Sequence, residues 1–144
     1  MDDTICYRNT DLDLISSEDL APLAAAFEAQ GVSPLPVWLD NNGKWRATLE
    51  TDDHHEEPEL NISSMIAVVE SFPDHLRAVW FDCSCREFNI GYECGVKPWG
   101  FDQTLSDSLL GRMAAVGASL RITLYPPECE ASAENRPTPD RRRS

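Results

Sequence analysis

"FDCSCREFNIGYECG", residues 81–95, is the stretch on which the fold turns, because it holds three of the chain's five cysteines. It reads either as a metal or redox knuckle or as a strand with thiols in its packing. Zinc takes four tetrahedral ligands, usually from paired C-x₂₋₄-C knuckles. Here Cys83-x-Cys85 is followed by Cys94 only after eight intervening residues, and no C-x-x-C occurs anywhere in the chain. In a helix Cys83 and Cys85 would stand about 200° apart; in a strand they would share a face with no second knuckle to complete a site. From Phe88 onward the period is two: Phe88, Ile90, Tyr92 and Cys94 fall on one side, Glu87, Asn89 and Gly91 on the other. The stretch is therefore a half-buried strand with Cys94 as a small hydrophobe on its core face. Gly91, opposite Phe88's set, marks a bulge or a close approach.

Before that strand, "NISSMIAVVESF" carries Ile62, Met65, Ile66, Val69 and Phe72 at helical spacing. Pro73 ends this helix, and "PDHLRAVWF" restarts it with Pro73 at the first helical position. Further back, "LPVWLDNNGKWRATLET" predicts a hairpin: Leu35, Val37 and Leu39 alternate before Asn42-Gly43, and Trp45, Ala47 and Leu49 after it. Pro34 and Pro36 confine the first arm to a sheet edge or a late start. Residues 5–15 alternate around Leu12 and Leu14 as a first strand, and Ser16 or Ser17 is expected to cap a helix that stops at Gly31. After the central strand, "TLSDSLLGRMAAVG" is a helix with Thr104 as its cap, and "SLRITLY" is the last strand.

The order is β-α-β-β-α-β-α-β. Alternating inward positions in each strand imply a sheet covered on one face only. The fold class is α+β: an antiparallel or mixed sheet of about five strands with helices on one face. Residues 1–130 form a single domain, and the Arg- and Pro-rich residues 131–144 are expected to be a disordered tail.

The net charge of −13 is uneven. "RPTPDRRRS" at the carboxyl end holds four Arg against one Asp, a net +3, so residues 1–135 carry −16. Such a body repels nucleic acid and anionic lipid and steers basic partners toward itself. No apolar run approaches a membrane span. The acidic start "MDDTICYRNTD" is unlike a signal peptide, which places the protein in the cytoplasm with its cysteines as free thiols.

"NTDLDLIS" (9–16 from Asn9), "REFNIGYECG" (86–95) and "VGASLRITLYPPE" (116–128) resemble, in order and separation, segments of a group of small uncharacterised bacterial proteins. The plan also looks like that of small domains found beside toxin genes as immunity proteins. The resemblance implies no activity and carries no functional residue with it.

No nucleophile elbow, phosphate-binding glycine loop or H-E-x-x-H motif is present. His54-His55 amid Asp52, Asp53, Glu56 and Glu57 reads as a solvated loop rather than a metal site, and no cofactor is expected. The expected function is a non-enzymatic acidic protein-binding module, of immunity or antitoxin type, that covers a basic toxin. Its binding residues are Asp11, Asp13, Glu50, Asp52, Asp53, Glu56, Glu57 and Glu59. The partner is a basic protein, with neither nucleic acid nor membrane. One alternative is a small-molecule or metal-dependent enzyme using Asp11, Asp13, Arg86 and Glu87. Another is a domain that forms a homodimer through its open sheet face, with Trp38, Arg46 and Tyr125 outside.

Overall fold

The computed structural model describes residues 3–127. The Arg-rich tail and Cys129 lie outside the described residues.

The alternation in 81–95 builds strand β5 (Cys85–Glu93), which buries Phe88, Ile90 and Tyr92 on one face and turns Glu87 and Asn89 to the other. On one side it pairs antiparallel with β1 (Cys6–Ser16), and on the other it pairs parallel with β6 (Ser119–Tyr125). The parallel pair needs a crossover, and α4 (Asp107–Ala115) supplies it. β4 (Trp45–Thr51) lies antiparallel on the far side of β1, followed by β2 (Val32–Pro34), while β3 (Trp38–Leu39) also pairs with β4. The result is a mixed six-stranded sheet in the order β2-β4-β1-β5-β6, an α+β fold.

The extra strand arises where the hairpin's first arm was expected to run unbroken over Leu35–Leu39. Proline lacks a ladder donor, so Pro34 and Pro36 split this arm into β2 and β3, and Leu35 is exposed. The turn itself forms as its residues require. Asp40 accepts the backbone N–H groups of Asn42 (2.8 Å) and Lys44 (2.9 Å), and Gly43 takes φ +78°.

Leu12, Leu14, Ala47, Leu49, Phe88 and Ile90 floor one core on a single face of the sheet. The helices α1 (Ala21–Glu28), α2 (Pro58–Glu70) and α3 (Asp74–Asp82) lay Leu23, Phe27, Ile62, Met65, Ile66, Val69 and Trp80 onto it. Trp80 is fully buried, and its indole N–H donates to the Val116 carbonyl at 2.8 Å, locking α3 to the end of α4.

All four helix starts differ from the sequence reading; α2 begins at Pro58, three residues before the Asn61 at which its pattern was read to start. Ser16 is the last residue of β1, buried, with its hydroxyl accepting from the Glu18 N–H; α1 begins at Ala21, whose N–H bonds to Asp19. Pro73 is the cap of α3 rather than its first residue. Ser106, not Thr104, caps α4: its hydroxyl oxygen accepts the Leu109 N–H, and its own O–H and N–H go to the two Glu59 carboxylate oxygens at 2.6 and 2.8 Å. That tertiary contact selects the start point, which local spacing could not do.

The last strand also departs from expectation. Leu120, Ile122 and Leu124 face the helical side in register with Phe88, Ile90 and Tyr92, yet they remain 39%, 57% and 62% exposed. The helices cover β1, β4 and β5, and α4 packs against α2 rather than over β6. Gly91 faces the irregularity in β1 between Tyr7 and Asn9, and a side chain there would meet Asn9 Oδ1 at 2.9 Å and the Tyr125 ring at 3.1 Å. Bulge and close approach occur together. Among the described residues no helix is long and apolar enough to cross a membrane.

Candidate binding face

The uncovered face of the sheet gathers alternate residues of four strands. Register sets Asp13 beside Thr48 on β4 and beside Glu87 on β5, and Asp11 beside Asn89. Continuing the β1–β4 register by one step brings Glu50 opposite Asp11. Three carboxylates the sequence singled out for binding, Asp11, Asp13 and Glu50, are thus brought together, and Glu87 joins them.

These acids differ in how their charge is met. Glu87 pairs with Arg121 at 2.8 Å, across from β6. Asp13 accepts the Thr48 hydroxyl at 2.8 Å. Burial nevertheless raises its pKa, with the nearby Glu87 adding to the rise and Thr48 and Arg121 opposing it. Asp11 and Glu50 share one donor: the Asn9 side-chain amide reaches Asp11 Oδ1 at 3.2 Å and Glu50 Oε2 at 2.9 Å. Among the described residues the ion pairs are Arg46–Asp40, Arg112–Glu70 and Arg121–Glu87, and none reaches this pair. Burial first, then the Glu50 charge and hydrogen bond and the Asp13 charge, lift Asp11 to about 7. A half-buried carboxylate that titrates near neutrality is one whose ionised form lacks compensation.

Beside this band a half-open depression of about 300 Å³ is lined by Asp13, Thr48, Cys85, Glu87, Arg121, Arg46 and the exposed Trp38. Arg46 reaches over the Trp38 ring at 5.9 Å while bonding Asp40 at 2.8 Å. At the far end Arg8 stands over the Tyr125 ring at 5.0 Å. Trp38, Arg46 and Tyr125 therefore all reach solvent.

The other five acids predicted for binding belong to the segment between β4 and α2 and into α2. Asp52 accepts the Ser33 hydroxyl, and Asp53, Glu56 and Glu57 are exposed. Glu59 is engaged with Ser106, which holds its carboxylate below the usual range, so its role is to join two helices. His54 stacks on Tyr7 with ring centroids 5.8 Å apart. The His55 backbone is held on both its N–H and C=O by Asn61, itself bonded to the Tyr7 hydroxyl at 2.6 Å.

The quartet Asp11, Asp13, Arg86 and Glu87 does not form one site. Arg86 points to the helical side, where its guanidinium donates to the carbonyls of Cys83 (2.6 Å), Gly117 (2.9 Å), Phe81 (3.2 Å) and Trp80 (3.3 Å). It caps the carboxyl ends of α3 and α4, where a cation is favoured. The three cysteines of 81–95 likewise part company. Cys83 closes α3 in the core, where burial pushes its thiol up to about 11. Cys85 is half-buried in the depression, its pKa raised by burial and by Glu87 and Asp13. Cys94 borders a separate apolar cavity with Tyr92 and Phe101. Among the described residues no three His, Cys, Asp or Glu side chains are grouped to hold a metal ion.

Asn9, Thr48 and Arg121 shape this face and were not singled out from sequence. Strand parity places each on the polar side, but only register makes them neighbours of the acids. No protein-family model matches the chain, and no curated protein or solved structure matches it either.

Proposed function

We propose that the protein is a non-enzymatic binding module whose open sheet face receives a basic segment of a protein partner, in the manner of an immunity or antitoxin-like protein that covers a basic toxin. The observation that carries this reading is the Asp11–Glu50 pair, two carboxylates that share a single side-chain amide and that none of the ion pairs among the described residues reaches. A lysine or arginine from a partner supplies the missing charge, and in a site half removed from water that exchange is worth more than at a free surface. The adjoining depression with Trp38 offers an aromatic wall for a second side chain of the same partner segment. The net charge of −13 then accelerates encounter with cationic partners.

Because the partner's cation displaces a proton from Asp11, affinity rises with pH through about 7. The test is affinity capture from the source cells with the wild-type chain and with the Asp11→Asn/Glu50→Gln double variant, scored by quantitative mass spectrometry. The wild type retains a basic protein and the double variant holds it at least about tenfold more weakly, a difference of about 1.4 kcal/mol. Capture of no basic protein, or equal binding by both chains, refutes the reading.

A further inference from the structure

Among the described residues the two edges of the sheet are treated differently. At the β2 and β3 edge the strands are only three and two residues long and carry or flank Pro34 and Pro36, which discourages further pairing. β6 is guarded less, its only flanking prolines, Pro126 and Pro127, coming after its last residue. It is seven residues long, holds no proline and no acidic side chain, and no strand lies on its outer side among the described residues. Its helix-side face presents Leu120, Ile122 and Leu124, the last two more than half exposed. The same face borders an apolar cavity of about 470 Å³ lined by Ile5, Tyr92, Phe101, Ile122 and Leu124, among others. A long, apolar, less guarded edge is either an aggregation hazard or a seam.

We infer that β6 is the seam of a homodimer, in which a second copy of this chain lays its own β6 antiparallel to the first about a two-fold axis through Ile122. Ile122 is the middle residue of Ser119–Tyr125, so this register pairs the whole strand. It sets Ile122 against Ile122 and Leu120 against Leu124, making one continuous apolar row, and it brings Leu120 of the second copy to the mouth of the cavity. On the other face Arg121 meets Thr123 and no two like charges stand opposite each other. Centring the axis on Arg121 would oppose two guanidinium groups, and centring it on Thr123 would leave Ser119 and Leu120 unpaired.

Charge selects the same edge. A dimer through the open faces would press Asp11, Asp13 and Glu50 of two copies together, whereas β6 contributes only the cationic Arg121. The chain's own residues 126–144, "PPECEASAENRPTPDRRRS", contain no Leu, Ile, Val, Phe, Met or Trp, so they bring no side chain suited to the apolar row. A second copy does, and an edge-to-edge pairing leaves the acidic face free.

Sedimentation velocity of the wild type and of Ile122→Lys tests this. The wild type is a dimer at about 100 µM and dissociates on dilution, while Ile122→Lys, with two ammonium groups facing across the axis, self-associates at least about tenfold more weakly. Ile122 is more than half exposed in the single copy, so the variant keeps the wild-type circular dichroism spectrum. Ile122→Cys gives a second readout: mild oxidation joins two copies through the introduced thiols, identified as a linked peptide of residues 122 by mass spectrometry, since facing side chains lie about 5 Å apart. A wild type that stays monomeric, or that forms open higher oligomers, overturns the inference. So does a dimer undiminished by Ile122→Lys, or an Ile122→Cys chain that yields no such linked peptide.

Discussion

Replacing Asp11 by Asn should make the protein more stable at pH 8 and not at pH 4. In the folded chain Asp11 titrates near 7 against an ordinary value of 3.8, roughly three pH units apart. Because the folded pKa of this acid is raised, the folded state holds its proton longer than the unfolded state does. Its contribution is therefore a destabilisation, fully present above about pH 7, which disappears as the pH falls from 7 toward 3.8. At 1.36 kcal/mol per unit the limit for a fully desolvated group is about 4 kcal/mol. Asp11 is only half-buried and solvent screens it, which brings the expected penalty to about 1–2 kcal/mol. Asn is close to Asp in size, removes the charge, and adds a donor toward Glu50. Urea unfolding followed by tryptophan fluorescence, to which the buried Trp80 contributes, measures the effect. The variant gains about 1–2 kcal/mol at pH 8 with unchanged m, and the two chains converge by pH 4. Equal stability at pH 8, or a gain of the same size at both pH values, would refute the account of an uncompensated carboxylate. A gain at pH 8 accompanied by weaker partner binding would mean that the binding face is maintained at a cost in stability.

Two further outcomes follow from the same geometry. Arg86→Ala leaves the carbonyls of Trp80, Phe81, Cys83 and Gly117 without their shared donor, and thermal and urea unfolding should show a loss of about 2–4 kcal/mol. Arg86→Lys should recover only part of it, since an ammonium cannot reproduce the planar fork; a loss under about 1 kcal/mol for the alanine variant would mean that Arg86 does not hold the two helix ends. Cys83, with its thiol raised to about 11, should resist a thiol reagent such as dithionitrobenzoate at pH 8 until the protein unfolds, whereas the exposed Cys6 reacts at once. Rapid modification of Cys83 in the folded state would contradict its placement in the core.

Much of the layout was legible because it rests on periodicities short enough to see in one segment. Phe88, Ile90 and Tyr92 announced a central strand, Asn42-Gly43 a turn, and Ile62 to Val69 a core helix, and each is found where its spacing puts it. The misreadings share a cause in long-range contact. Thr104 and Ser106 are both acceptable caps in isolation, and Glu59, forty-seven residues earlier, chooses Ser106. Leu120, Ile122 and Leu124 alternate as core residues do, but among the described residues no helix covers them. Arg86 and Glu87 are neighbours in the chain and point to opposite faces, so an apparent catalytic pair is a helix cap beside an ion-paired acid.

By itself the sequence determined the α+β class, the polarity of each strand face and the strongly acidic balance, since side-chain alternation and charge are properties of the chain taken locally. Tertiary structure alone decided which acids share a site. Strand register brings Asp11, Asp13, Glu50 and Glu87 from three separated segments onto one surface, and proximity in a half-buried setting, not composition, raises the pKa of Asp11 to about 7.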